Sequence, residues 1–410
     1  MTRTALSLAL VGAAATAVVA QPVATFSYLP DGCVSANDMT PDGRFIVGGF
    51  DSDADGLADG AYRYDVQLDD LVILGSLGDQ TDGVAISDDG SVVTGDMLTP
   101  DGEVAGRWTE ATGWVSLGFL PNAGSCPSRS NGYDISSDGG TVVGLSWDGC
   151  DGRAFIWDGA AGMTQLEVLE DGRNRASVVS ADGSVVAGFC QVNTRTPCFW
   201  DGLSGAGTVI DPNGAGTEGE VLGMSDDGSV LLLTYYDYAN PTKDFYYDAY
   251  TWTASGGLQI VGTGSISGGW AGRAMDIAEQ TGSIVGFDSL FGNRRAWILL
   301  DGQGDCRELI DFVETHGGDV PDGQLLDVPQ AITNDGTRII GHSGGSLAWM
   351  ITLEYPCAAD VNGDGVLDNG DIGAFVALFL ASDLAADFNG DGILDNGDIG
   401  AFVASFLAGC

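Results

Sequence analysis

Short aliphatic and β-branched runs, each broken after a few positions by Asp-Gly or a lone glycine, dominate the chain from residue 33 to residue 354. One stretch sets the rhythm. Residues 135–144 read Ile-Ser-Ser-Asp-Gly-Gly-Thr-Val-Val-Gly, and related copies begin at Met39, Ile86, Val179, Met224, Ile277 and Ile332. An Asp-Gly between two such runs predicts a hairpin whose two central residues both take positive φ. The equivalent pairs are Asp42-Gly43, Asp89-Gly90, Asp138-Gly139, Asp182-Gly183, Asp227-Gly228 and Asp335-Gly336, while the copy at Ile277 carries Gln280-Thr281 and needs another turn. A third run follows, Ala154-Phe155-Ile156-Trp157, matched at residues 105–108, 197–200 and 249–252. A fourth, such as residues 113–117 or 162–166, completes four predicted strands per copy.

Copies start 44 to 55 residues apart, a period that points to a repeat architecture. Four short strands repeated seven times predict an all-β fold, a seven-bladed β-propeller over residues 33–354. The tryptophans of the third run are then blade-to-blade packing residues. The combination of Ile-Ser-x-Asp-Gly-x-x-Val-Val-Gly with Arg153-Ala154-Phe155-Ile156-Trp157 and Gly162-Met163 resembles the HAF repeats of bacterial extracellular proteins, although arginine or aspartate stands where that repeat has histidine. The resemblance implies an extracellular location and a fold, not a chemistry.

Behind the repeats the pattern changes to two near-identical loops, each leading a helix-spaced apolar run. Asp360, Asn362, Asp364, Asp368 and Asp371 alternate around Gly365, and Asp387, Asn389, Asp391, Asp395 and Asp398 do so around Gly392. With the carbonyls of Val366 and Ile393 each loop offers the six hard oxygen ligands that Ca2+ requires. The runs that follow place Ile372, Phe375, Phe379 and Ile399, Phe402, Phe406 at helical spacing. Residues 357–410 thus form a small α-helical calcium module that resembles a dockerin, and the ending Gly409-Cys410 resembles the GC type found on bacterial surface proteins. The resemblance implies docking onto a cohesin-like or surface scaffold protein. Asn369-Gly370 and Asn396-Gly397 replace the hydroxyl residues by which familiar dockerins select a cohesin. A third acidic stretch, Asp51, Asp53, Asp55 and Asp59, is similar to the calcium loops of FG-GAP propellers but has Tyr62 at the twelfth position.

Charge sharpens this picture. Asp and Glu total 58 against 15 Lys and Arg, a net charge of −43. Such a surface repels nucleic acid and anionic lipid and favours cations. Arg3 followed by an apolar run ending Val18-Val19-Ala20 reads as a signal peptide over residues 1–20, and no later stretch has the length of a membrane span. Eight cysteines in an exported chain imply disulfides; spacing pairs Cys126 with Cys150 and Cys190 with Cys198. Cys33, Cys306, Cys357 and Cys410 stay open, with Cys357 and Cys410 bracketing the calcium module.

No catalytic or cofactor-binding residue emerges. The two histidines, His316 and His342, lie among glycines without a matching nucleophile and orienting acid. The Ser-x-Asp-Gly of the repeats lacks the spacing of a sialidase Asp-box, and acids this numerous single out no glycosidase pair. The expectation is a secreted or surface-attached, noncatalytic calcium-binding propeller that takes a polysaccharide or protein ligand, with a carbohydrate-active enzyme, a polysaccharide hydrolase or lyase, as the alternative.

Overall fold

The computed structural model describes residues 22–75, 84–100, 102–121, 126–169, 172–191, 194–210, 217–237, 248–261, 272–290, 293–302, 304–344, 347–355, 357–363 and 366–409. The signal-peptide expectation and the residues Asp364, Gly365 and Cys410 lie outside them. The chain divides into a ring, residues 24–353, and a C-terminal unit from residue 354.

The ring is a seven-bladed β-propeller of four-stranded antiparallel sheets. Blades 1 to 6 take their strands in chain order from residues 38–75, 85–118, 130–165, 174–209, 217–260 and 272–308. Blade 7 is built differently. Its three inner strands come from residues 328–354, and its outer strand is β1, Val23–Tyr28, from the other end of the chain. The ring therefore begins ahead of residue 33, because the blade that takes one strand from the N-terminal end and three from the C-terminal end holds the circle shut. Helix α1, Leu309–Thr315, sits between blades 6 and 7 and buries Leu309, Phe312 and Val313.

Seven apolar clusters fill the seven blade interfaces. The third-strand aromatics anchor them: Trp108, Trp200, Trp297 and Trp349 are buried, as is Tyr62 in blade 1. Each side chain of this size removes enough apolar surface from water to make its truncation cost about 3–5 kcal/mol. Packing, as the spacing predicted, explains these tryptophans.

The repeated Ser-x-Asp-Gly turn differs from the predicted hairpin in one respect. Only the glycine takes positive φ; Gly139 has φ 67°, and no turn aspartate is among the positive-φ residues. In blade 3 the Gly139 N–H donates to the Ser136 carbonyl (2.8 Å), the Ser136 hydroxyl donates to Asp138 (2.9 Å), and the same hydroxyl accepts from Thr141 N–H (2.9 Å). Blades 1, 2, 4, 5 and 7 repeat this corner with Thr40, Ser87, Ser180, Ser225 and Thr333. Local side-chain acceptors thus replace the mirror-image turn geometry. Blade 6 has Ala278 at the serine position and closes a longer turn, Gly282 N–H to Ala278 carbonyl at 2.7 Å.

Cys126 and Cys150 form a disulfide with Cα atoms 5.2 Å apart. Cys190 and Cys198 do not, contrary to the pairing expected from spacing. Their strands pair Cys190 with Thr196 and Cys198 with Gly188, so the two thiols sit on a diagonal, where Cα atoms are ~7–8 Å apart and a disulfide does not close. Both stay buried. Cys357 is disulfide-bonded. His342 lies within the strand Arg338–Ser343 and His316 caps α1, so neither occupies the glycine loop expected.

The C-terminal unit holds α2, Asn369–Leu380, a short turn of helix at Leu384–Ala386, and α3, Asn396–Ala408. Phe375 and Phe402, equivalent residues of the two halves, stack with centroids 4.2 Å apart and form its core with Ala359 and Ala386. Ile372 and Ile399, placed on the apolar stripe by their spacing, are each 40% exposed. Among the described residues no helix is long and apolar enough to cross a membrane.

Candidate functional site

The innermost strands line a central channel enclosing about 460 Å³. Five of them carry a β-bulge, and the extra residue of each, Tyr133, Ser177, Leu222, Met275 or Gln330, faces this space. A bulge breaks the alternation of the strand, so the next residue also lines the channel. In blades 3 and 6 that residue is an aspartate, and in blade 1 Asp38 lines the channel at the equivalent position of the repeat.

Asp38, Asp134 and Asp276 play one repeated part. Each carboxylate accepts the N–H of the residue after it and an N–H of the following blade: Met39 and Ile86 at 2.7 and 2.8 Å, Ile135 and Val179 at 2.8 and 2.7 Å, Ile277 and Ile332 at 2.8 Å each. They join blades 1 to 2, 3 to 4 and 6 to 7. Burial pushes Asp38 up to about 7 and Asp134 and Asp276 to about 8, outweighing the N–H donors that favour the anion. Asp38 adds repulsion to both of the others. The sequence reading missed all three, although the signal was there: aspartate directly precedes the repeat at Met39, Ile135 and Ile277.

One mouth of the channel is ringed by the residue between serine and aspartate of each turn. Asp88 N–H donates to Ser137 carbonyl, Ser137 to Ala181, Ala181 to Asp226, and Asn334 to Pro41, at 2.8 to 3.1 Å. Asp226 N–H reaches the Glu279 carboxylate instead (2.6 Å). Pro41 has no N–H to pass on, and blades 1 and 2 are joined by Asp38 and by Arg63, which donates to the Gly90 carbonyl (2.8 Å). Asp88, Asp226 and Glu279 make this mouth acidic; burial raises Asp226 and Glu279. Towards the other end Arg175 donates to Glu220 (3.0 Å) and to Ser177, and lies 4.9 Å from the Tyr133 ring centroid. Arg195 reaches the same Glu220. Neither histidine lines the channel.

Of the acids singled out in blade 1, Asp51, Asp53 and Asp59 bring carboxylate oxygens within 4.8 Å of one another. Asp51 accepts the N–H groups of Asp53, Ala54 and Gly56, which outweigh its burial and hold its carboxyl low. Asp55 stands outside that group, accepting from Leu57 N–H. The three together are a possible metal site.

In the C-terminal unit the twelfth loop acids, Asp371 and Asp398, are fully buried. Each accepts two N–H groups of its own loop, from Asp368 and Asn362 or from Asp395 and Asn389. Asp368 and Asp395 cap α2 and α3 in matching capping boxes. These donors hold Asp371 low and, against burial, Asp398 too. The first acid of each loop, Asp360 or Asp387, lies within hydrogen-bonding reach of the twelfth, and Asp387 Oδ1 is buried without a partner. Asn389 and Asp391 bond each other, while Val366 and Ile393 turn their side chains to solvent. In the second loop, two facing carboxylates with one buried oxygen lacking a hydrogen-bond partner fit a cation, whose charge would offset their repulsion.

No protein-family model and no curated protein matches the chain. Solved structures do. An oligogalacturonate lyase in complex with manganese aligns with TM-score 0.54 over 81% of this chain and 93% of its own, at 17% identity. An oligogalacturonate lyase from Vibrio parahaemolyticus gives 0.50 over 82% and 91%, at 15%, and a chain of the mitotic checkpoint complex 0.50 over 86% and 97%, at 12%. They share its fold. At such identities the likeness extends to the propeller and not to its chemistry.

Proposed function

We propose that this chain is a secreted, noncatalytic calcium-binding protein, with the propeller as its binding platform and the C-terminal unit as a dockerin-like module docking on a cohesin-like or surface scaffold protein. The second loop carries the reading: the buried Asp398 faces Asp387, whose Oδ1 has no hydrogen-bond partner, and a cation between them would offset the repulsion of the two carboxylates. The ligands are Asp360, Asn362, Asp364, Val366, Asp368 and Asp371 in one loop and Asp387, Asn389, Asp391, Ile393, Asp395 and Asp398 in the other. Asp51, Asp53 and Asp59 supply a third calcium site. The Cys126–Cys150 disulfide supports an oxidising compartment.

A lyase or hydrolase acting on polysaccharide is the weaker reading. The channel wall carries six acids and one arginine, itself paired with Glu220, and repels a polyanionic sugar. Both oxygens of each interior aspartate are held by backbone N–H groups. Calorimetry of the full chain with Ca2+ tests the proposal. Asp371→Asn and Asp398→Asn should each remove one binding event; calcium uptake unchanged by both would end the calcium reading, and turnover of any polysaccharide would end the noncatalytic one.

A further inference from the structure

Of the described tryptophans, Trp147 alone lies outside the apolar clusters that join the blades, and it is only part-buried. It stands near the end of the second strand of blade 3, at a hairpin tip that the Cys126–Cys150 disulfide ties to the segment leading into that blade. The Trp147 N–H and the Ser146 hydroxyl both donate to the Arg129 carbonyl of that segment, at 3.0 and 3.1 Å. Cys150 is exposed, so the staple fixes a surface shape rather than a core. Both signs of charge stand beside the indole. The Arg173 guanidinium lies 5.9 Å from the ring centroid, the outer limit of a cation–π contact, and so leaves the ring uncovered. Its Nε is 3.7 Å from Asp151 Oδ1, and Arg153 reaches Asp151 Oδ2 at 3.6 Å. Both separations exceed hydrogen-bond length, and the Arg173 and Asp151 side chains are 55% and 54% exposed, so their donors and acceptors stay open. Arg153, mostly buried, is anchored by donating to the Gly172 carbonyl (2.6 Å). Among the described residues no acceptor claims the Trp147 indole N–H.

A flat apolar ring beside an open carboxylate and an open guanidinium suits a neutral sugar. The C–H face of a pyranose loses its water on an indole, and hydroxyls, which both donate and accept, serve Asp151 and Arg173 together. An anionic sugar would meet Asp151, and a cationic one the two arginines. We propose that the stapled tip of blade 3 is a glycan subsite that takes one neutral pyranose unit of a polysaccharide, stacked on Trp147 with hydroxyls on Asp151 and Arg173. The proposal rests on the reading of the ring as a binding platform and names what the platform holds; it uses neither the channel nor the calcium loops.

Affinity electrophoresis of the full chain in saturating Ca2+ tests it, in gels carrying hydroxyethylcellulose, galactomannan, arabinoxylan or the anionic carboxymethylcellulose. At least one neutral polysaccharide should retard the chain, and more strongly than the anionic one. Trp147→Ala should weaken that retardation about tenfold, the loss of one stacked ring, and Asp151→Asn and Arg173→Gln by a similar factor, the loss of a charge-assisted hydrogen bond. Oligosaccharides of the retarding polymer should shift the tryptophan emission of the parent and not that of Trp147→Phe, which keeps an aromatic ring; this decides the matter if Trp147→Ala fails to fold. No retardation by any neutral polysaccharide, retardation unchanged in Trp147→Ala, or an emission shift that survives in Trp147→Phe overturns the proposal. The platform reading would then stand on a protein ligand or on a sugar bound elsewhere on the ring, so the two fail separately.

Discussion

Asp134→Asn should reverse sign in its effect on stability between acid and alkaline pH. Asp134 bridges blades 3 and 4 through Ile135 N–H and Val179 N–H, and burial raises it from the ordinary 3.8 to about 8. A carboxyl raised in the folded state binds its proton more tightly there than in the unfolded chain. Its favourable contribution is therefore complete below pH 4 and is lost as pH rises through 8. Between those limits the loss is about 1.4 kcal/mol per pH unit, or about 4 kcal/mol from pH 5 to 8 in a dry site. Asp134 is only half-buried, so solvent access screens the charge and about 2 kcal/mol is the expected change. Asparagine is neutral at every pH and keeps one acceptor, leaving one N–H facing an amide at a constant cost of about 1 kcal/mol. The variant should thus be less stable than the parent at pH 5 and more stable at pH 8.5. Urea unfolding in saturating Ca2+, followed by tryptophan fluorescence, measures this in the ring alone, since all nine tryptophans precede residue 350. Parallel pH profiles for parent and variant would refute the assignment of the shift to Asp134.

Ser180→Ala removes a buried hydroxyl that donates to Asp182 and accepts from Val185 N–H; chemical denaturation should show a loss of about 1–3 kcal/mol, with blade 6, where Ala278 already stands, as the natural counterpart. A chain shortened to begin at Leu29 loses the outer strand of blade 7 and should elute as aggregates in size-exclusion chromatography, because the strand Leu347–Glu354 becomes a bare sheet edge; a well-behaved monomer would mean that the ring closes without it.

The blades were legible because the repeat writes the same physics seven times. Asp138-Gly139 gave the turn, Thr141 to Gly144 the buried second strand, and Trp157 and Trp200 the interface side chains. The turn type was not legible, since it depends on a hydroxyl at Ser136 reaching two partners at once. Cys190 and Cys198 misled because spacing along the chain says nothing about which residues face each other across a pair of strands, whereas Cys126 and Cys150 were correctly paired. The acids at Asp51, Asp53 and Asp59 do converge, but Asp55 turns to its own backbone. The channel aspartates escaped notice since a ring site is assembled from single residues of distant copies. Asp38, Asp134 and Asp276 look like ordinary turn acids until the circle brings them to one axis.

The strand that closes the ring imposes an order of events. Strand β1 ends at Tyr28, and its partner begins at Leu347, more than 300 residues later. During synthesis, which proceeds from the N-terminus, the first strand must wait unpaired until the last blade has been made. Blades 1 to 6 can each form from contiguous chain, so the early product is an open arc with two raw ends. Pairing across so long a separation is slow, and an arc waiting to close can join a neighbouring arc as readily as itself. The yield of closed rings should therefore fall with concentration during refolding even when the final stability is unchanged.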